Sequence, residues 1–245
     1  VPEPTPNPEP TPAPAQPPIV NPDPTPEPDP TPKPTTTADA GGNYLNVGYL
    51  LNYVENRTLM QRMGDLRNQS KDGNIWLRSY GGSLDSFASG KLSGFDMGYS
   101  GIQFGGDKRL SDVMPLYVGL YIGSTHASPD YSGGNGTARS DYMGMYASYM
   151  AQNGFYSDLV VKASRQKNSF HVLDSQNNGV NANGTANGLS ISLEAGQRFN
   201  LTPTGYGFYI EPQTQLTYSH QNEMAMKASN GLNIHLNHYE SLLGR

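Results

Sequence analysis

The hydrophobic pattern of this chain passes through two periods. From Asn43 to Arg67 (NYLNVGYLLNYVENRTLMQRMGDLR), apolar side chains fall at Tyr44, Val47, Leu50, Leu51 and Val54, then at Leu59, Met60, Met63 and Leu66. That is the spacing of one long helix. At about 1.5 Å per residue it is roughly 37 Å long, near the thickness of a membrane with part of its interfaces. Asn46, Asn52, Glu55, Asn56, Arg57, Gln61, Arg62 and Asp65 interrupt it, so it cannot lie in lipid. A polar helix of membrane length needs a polar tunnel of membrane height.

Beyond the helix the period drops to two. Ile75 and Leu77 oppose Trp76, Arg78 and Tyr80, and Leu116, Val118, Leu120 and Ile122 alternate with Tyr117, Gly119, Tyr121 and Gly123. Leu189, Ile191, Leu193 and Ala195 alternate with Ser190, Ser192, Glu194 and Gly196; Phe208, Ile210, Pro212, Thr214, Leu216 and Tyr218 alternate with Tyr209, Glu211, Gln213, Gln215 and Thr217. Each segment has one greasy face and one polar or glycine face, the lipid-out, lumen-in pattern of a membrane barrel. Further strands are expected in 94–107, 140–151, 154–168 and 233–244, giving about eight. Short connections (152–154, 202–205) alternate with long polar ones (82–93, 125–139, 171–188, 221–232), as in an up-and-down barrel. A soluble sandwich has the same periodicity.

Composition separates the two ends. Sixteen of the 20 prolines precede residue 35, in PEPTP, PTPEPDPTP and PKPTTT units. Residues 1–37 therefore read as a polyproline II spacer or, less simply, a ligand for a proline-recognition domain, and 35–42 as a flexible lead-in to the helix. The domain reading is a Pro-rich disordered linker at 1–42, a lumenal helix at 43–67 and an incomplete barrel at 68–245. A net charge of −5 with no Lys/Arg cluster speaks against a nucleic-acid partner. No run of apolar residues is long enough for a membrane helix, and no cysteine is present for disulfide or thiol chemistry.

Chemistry-bearing residues are dispersed. His126, His171, His220, His235 and His238 form no metal-ligand spacing, and no local motif supports a hydrolase site. We therefore expect no catalytic residue, metal or cofactor. Alternation places Arg78, Asp158, Lys162, Glu194, Arg198 and Glu211 toward the lumen. There they would pair with the helix, whose polar candidates are Asn56, Arg57, Arg62 and Asp65. Gly119, Gly123, Gly144 and Gly196 would leave room for the helix or ease barrel curvature. Tyr99, Tyr121, Tyr142, Tyr146, Tyr149, Phe155, Tyr156, Phe208 and Tyr218 would form interfacial girdles.

Several ordered motifs carry a family resemblance. RMGDLR (62–67) followed by IWLRSYGG (75–82), then GIQFGGD (101–107), GFYSDLVVKASRQKNSF (154–170), SLEAGQRF (192–199), YIEPQTQLTY (209–218) and YESLLGR (239–245) resemble the C-terminal translocator of autotransporters, the type V secretion family. The resemblance covers roughly residues 40–245. It implies a twelve-stranded outer-membrane β-barrel with the helix threaded through its lumen, about eight of the strands being present. It also implies a passenger exported to the cell surface, and as partners the outer-membrane lipid, the barrel assembly machinery and periplasmic chaperones. On this reading the sequence is a fragment, because such barrels end on an aromatic residue and this one stops at Arg245. One branch of the family cleaves its passenger at an Asn-Asn pair five residues before the RMGDLR end. Arg57 and Thr58 stand there instead, which argues against self-cleavage at this site. The rival readings are a soluble or wall-attached β-sandwich adhesin on a proline-rich stalk and an outer-membrane barrel hydrolase.

Overall fold

The computed structural model describes residues 33–67, 73–86, 91–110, 115–201 and 207–245. The Pro-rich units up to residue 32, the 68–72 break and the 202–205 turn lie outside the described residues. A short helix α1 (Thr36–Gly42) precedes the long helix α2 (Tyr44–Arg67). The lead-in expected to be flexible is thus helical. Thr35 caps α1, its Oγ1 accepting from the Ala38 N–H at 3.3 Å, and the helix ends at Asn43. Gly41 lets α1 pack closely, since a Cβ there would stand 2.5 Å from Ile234 Cδ1.

Among the described residues twelve strands follow: β1 (Gly73–Ser86), β2 (Phe95–Arg109), β3 (Leu116–Tyr131), β4 (Gly134–Met150), β5 (Phe155–Leu173), β6 (Gly179–Gln197), β7 (Phe199–Asn200), β8 (Tyr209–Ile210), β9 (Gln213–Gln221), β10 (Met224–Lys227), β11 (Asn233–Leu236) and β12 (Tyr239–Gly244). Eight form one sheet in the order β1-β2-β3-β4-β5-β6-β9-β12, every pair antiparallel. Two hairpins, β7–β8 and β10–β11, stand outside it. Among the described residues β1 and β12 are the sheet's edges, so the sheet is curled around α2 and open.

Three expectations are corrected. The segments read as long loops at 125–139 and 171–188 are mostly strand: β3 and β4 meet at a turn of Ser132 and Gly133, and β5 and β6 are 19 residues each. Gly134 makes that turn possible: its φ is +155°, and a Cβ would come within 2.2 Å of the His171 carbonyl oxygen. The strand expected over 233–244 is divided between the β10–β11 hairpin and the main sheet. The strand expected around Phe208–Tyr218 is broken at Pro212, which has no N–H to give a ladder.

A strand needs about 9–11 residues to cross a bilayer when tilted. Strands β2–β6, with 15 to 19 residues, therefore extend well past it. The overhang lies at the Tyr131–Gly134 end, the end where the Thr36 hydroxyl bonds the Leu173 carbonyl. We call this the upper end. Below the overhang the outward face is a largely aliphatic band: Ile75, Leu77, Phe104, Leu120, Ile122, Met143, Met145, Leu159, Ile191 and Leu216 are all exposed. So large an exposed apolar surface has no place in water and marks the lipid contact. A β-sandwich would have buried it. Among the described residues no helix is long and apolar enough to cross a membrane.

Candidate functional site

The concave face of the sheet holds α1 and α2 in three tiers. In the lower tier Leu59, Met60, Met63 and Leu66 pack on Trp76, Tyr117, Tyr121, Tyr142, Tyr146 and Val160. In the upper tier Ala40, Tyr44, Val47 and Leu51 pack on Phe95, Met97, Phe170 and Val172. Between them lies a polar layer centred on Glu55, one of the two acids of the helix.

Glu55 Oε2 meets Lys162 Nζ at 2.7 Å, with side-chain exposures of 0 % and 1 %. The other oxygen, Oε1, accepts from Thr125 Oγ1 at 3.0 Å, and that hydroxyl is in turn 2.5 Å from the Tyr80 hydroxyl. Tyr80 and Tyr142 hydroxyls are 2.8 Å apart, and Lys162 Nζ stands 5.4 Å from the centre of the Tyr142 ring. Gln103 Nε2 donates to the Glu55 backbone carbonyl at 3.1 Å. A buried carboxylate and ammonium are tolerable only with such company, because each has lost its hydration.

About two helical turns below, Arg62 Nη2 donates to Asp107 Oδ2 at 2.8 Å, both side chains buried. Tyr146 donates to the same oxygen at 2.6 Å, Trp76 Nε1 donates to Tyr146 at 2.9 Å, and the Arg62 guanidinium lies 5.6 Å over the Trp76 ring. Three strands, β1, β2 and β4, thus converge on Arg62 through side chains. At the helix foot Arg78 bonds Asp65 and donates to Gln61 at 3.1 Å. Toward the top Asn52 Nδ2 donates to Ser219 Oγ at 2.6 Å.

The expected lumen set divides in two. Asp158, Lys162 and Glu194 point inward from β5 and β6 and are buried; Asp158 accepts from Ser148 and stands opposite Glu194 in the ladder. Arg78, Arg198 and Glu211 instead surround a cavity of about 520 Å³ at the lower mouth, with Gln61 and Asp65. Arg198 follows the end of β6, and its guanidinium stacks 3.8 Å from the centre of the Tyr209 ring. On the helix, Asn56 is buried with Nδ2 3.5 Å from Asn52 Oδ1, and Arg57 is exposed, facing β9 and β12 with Gln215 and Arg245.

Sequence reasoning missed Glu55, Gln103, Asp107, Thr125 and Tyr146. Alternation through GIQFGGD would have put Gln103 and Asp107 on the inner face. The helix partner of each was unreadable, since it depends on helix rotation and height. The girdle expectation also fails in part. Tyr149, Phe155, Phe208 and Tyr218 are outward, but Tyr121, Tyr142, Tyr146 and Tyr156 are buried inside. They explain the glycines. A Cβ on Gly119 would lie 2.2 Å from the Tyr146 ring, on Gly123 2.3 Å from Tyr142, on Gly144 2.6 Å from Tyr121 and on Gly196 2.4 Å from Tyr156. Each glycine is a slot for a cross-strand tyrosine, so it makes room for a ring and not for the helix.

The family model of the autotransporter beta-domain matches residues 75–245. The chain belongs to this family. It is 98 % identical over its whole length to the Escherichia coli (strain K12) protein named probable autotransporter YcgV, covering 26 % of that protein. It is 34 % identical over 86 % of its length to the pertactin autotransporter of Bordetella bronchiseptica, covering 23 % of that protein. The solved beta domain of the Bordetella autotransporter BrkA superposes with a TM-score of 0.60 and 28 % identity, over 71 % of this chain and 69 % of that one. The chain spans about a quarter of the length of the curated relatives it matches. Family, aliphatic band and curled antiparallel sheet together make this an outer-membrane β-domain. Among the described residues no group of three or more His, Asp or Glu is placed to hold a metal ion.

Proposed function

We propose that this β-domain is the translocator and anchor of an autotransporter. The strands sit in the outer membrane, and α2 is the end of an exported chain held in the lumen with its upper end toward the cell surface. The β-domain carries this role without catalysis of its own; any enzyme activity belongs to a passenger. Residues 1–42 are the linker between passenger and anchor, 43–67 the tether and 68–245 the barrel. Barrel assembly machinery and periplasmic chaperones deliver it to the membrane.

The observation that carries this reading is the fastening of a polar helix by buried charge on the sheet: Glu55 to Lys162 and Arg62 to Asp107. A helix that merely passed through would not need charged partners with all their hydration removed. Arg78, Asp158, Glu194, Arg198 and Glu211 complete the polar lining, and Asn56, Arg57 and Asp65 give the helix its polar sides. The test is to delete Tyr44–Leu66 from the complete protein and record conductance in planar bilayers. Loss of the plug opens a steady pore, and the deleted protein no longer retains its passenger on intact cells. Unchanged conductance with the helix gone would overturn the assignment.

A further inference from the structure

The outward face of β4, β5 and β6 carries three chemistries in succession between the lower and the upper end. First comes the aliphatic band, here Met143, Met145, Val161 and Ile191. Above it stand Arg139, Arg165 and Lys167, with Arg139 and Lys167 direct partners across the β4–β5 ladder and Arg165 the partner of Asp141. Above these lies a shallow concavity of about 470 Å³ lined by Asn135, Thr137, Ser169, Asn181, Asn183 and Lys227. Met143 to Arg139 and Arg139 to Asn135 are four residues each, so each step is roughly 13 Å along the strand.

Three cations stand at the middle level, and a fourth, Lys227, lines the concavity above. Asp141 takes the Arg139 Nε at 2.9 Å and the Ser124 hydroxyl at 2.7 Å, so one of the three cations is locally neutralised. Arg165 and Lys167 form no ion pair among the described residues, and both are exposed. Farther round the sheet the sign reverses. Asp85, Asp96 and Asp130 are successive cross-strand partners on the outward faces of β1, β2 and β3. An anion approaching the protein from the membrane plane is repelled there and drawn to β4–β6.

We infer that the outward face of β4–β6 binds a phosphorylated glycolipid of the outer leaflet. Acyl chains lie on the aliphatic band and a phosphate sits at Arg139, Arg165 and Lys167. The sugars lie against the amide and hydroxyl concavity above. Guanidinium and ammonium groups are the strong donors to phosphate, and side-chain amides and hydroxyls both donate to and accept from sugar hydroxyls. The protein presents these three chemistries in the order in which such a lipid carries its own. The inference rests on the orientation proposed above, with the overhang at the cell surface.

The complete autotransporter, purified in mild detergent, is titrated with rough-type lipopolysaccharide and read by native mass spectrometry. Parallel titrations use the same lipid with its phosphates removed, phosphatidylglycerol and inorganic phosphate. The phosphorylated glycolipid should bind at least about tenfold more tightly than its dephosphorylated form. The double variant Arg139→Gln/Lys167→Gln should weaken it on the order of tenfold, each cation near an anionic headgroup being worth about one such ionic contact. Arg139→Lys/Lys167→Arg should retain binding, and Lys108→Gln, an exposed cation at the lower end of β2, should change nothing. Equal binding by wild type and the double variant overturns the proposal. So does equal affinity for phosphatidylglycerol, which would mean a generic anionic surface, or displacement by millimolar inorganic phosphate. Heat-modifiable mobility checks that each variant is folded. Passenger exposure on intact wild-type cells tests the translocator reading separately, since that can fail or hold whatever the lipid result.

Discussion

The lower and upper halves of strands β3–β6 are built from the same ladders with their faces exchanged. In the lower half Leu120, Met143, Leu159 and Ile191 point out, and Tyr121, Tyr142, Asp158, Lys162 and Glu194 point in. In the upper half His126, Thr137, Lys167 and Asn181 point out, and Ala127, Ala138, Phe170, Val172, Val180 and Ala182 point in. The alternation never slips a residue: the β4–β5 and β5–β6 registers are continuous, and the β3–β4 register is the same on both sides of its break at Ser128 and Pro129. Only the solvent outside has changed, from hydrocarbon to water. An apolar interior follows at once in the upper half, because that part of the molecule is packed like a soluble protein, with α1 and the start of α2 as its core. In the lower half the helix also buries Leu59, Met63 and Leu66 against Trp76 and the tyrosines, but buried polar contacts from Lys162 and Asp107 fix it as well.

The strongest way to break this contrast is to cut one partner of the buried pair. Glu55→Gln leaves the Lys162 ammonium desolvated and uncompensated, and should cost about 3–5 kcal/mol in a folding titration in lipid. Glu55→Leu with Lys162→Met should cost far less than the sum of the two single changes, since both charges are removed together. A double cycle that is simply additive would mean the pair does not hold the helix.

A smaller effect separates the outer faces. Leu120→Arg puts a charge against hydrocarbon and should cost about 2–4 kcal/mol near the midplane. Ser128→Arg, four positions farther up from His126's neighbour Ser124 on the same strand and face, should stay within about 0.5 kcal/mol because it meets water. Equal penalties at the two sites would place the membrane boundary elsewhere.

The smallest effect sharpens the upper half alone. In the β5–β6 turn the Asp174 carboxylate accepts from the Asn178 N–H at 2.8 Å and the Gln176 N–H at 2.9 Å, and these bonds hold its carboxyl below the usual carboxylate range. A depressed folded-state value means that the carboxylate stabilises the turn above the ordinary carboxylate range, about pH 4. That stabilisation is lost as pH falls through the lower folded value. The protection of the Gln176 and Asn178 amides, measured against the intrinsic exchange rate at each pH, should therefore fall in acid in the wild type, whereas Asp174→Asn should show no such acid step.

Much of this was legible in the residues. The helix period over 43–67, the greasy outward alternation and the inward positions of Arg78, Asp158, Lys162 and Glu194 all follow from local spacing, because a side chain's face is fixed by the backbone that carries it. The overhang was not, and 125–139 (THASPDYSGGNGTAR) shows why. Its Gly, Ser, Asn, Pro and Asp are turn residues by composition, and Pro129 does interrupt the β3–β4 pairing, which skips Ser128 and Pro129. The segment is nonetheless strand, because β2 and β5 extend alongside and supply partners for its backbone groups. Likewise no spacing in the chain joins Glu55 to Lys162, Arg62 to Asp107, or Gly119 to Tyr146. The sequence determined which residues face which way. Tertiary structure alone decided which of them meet, because helix height, helix rotation and strand stagger are set by packing across the lumen between residues far apart in the chain.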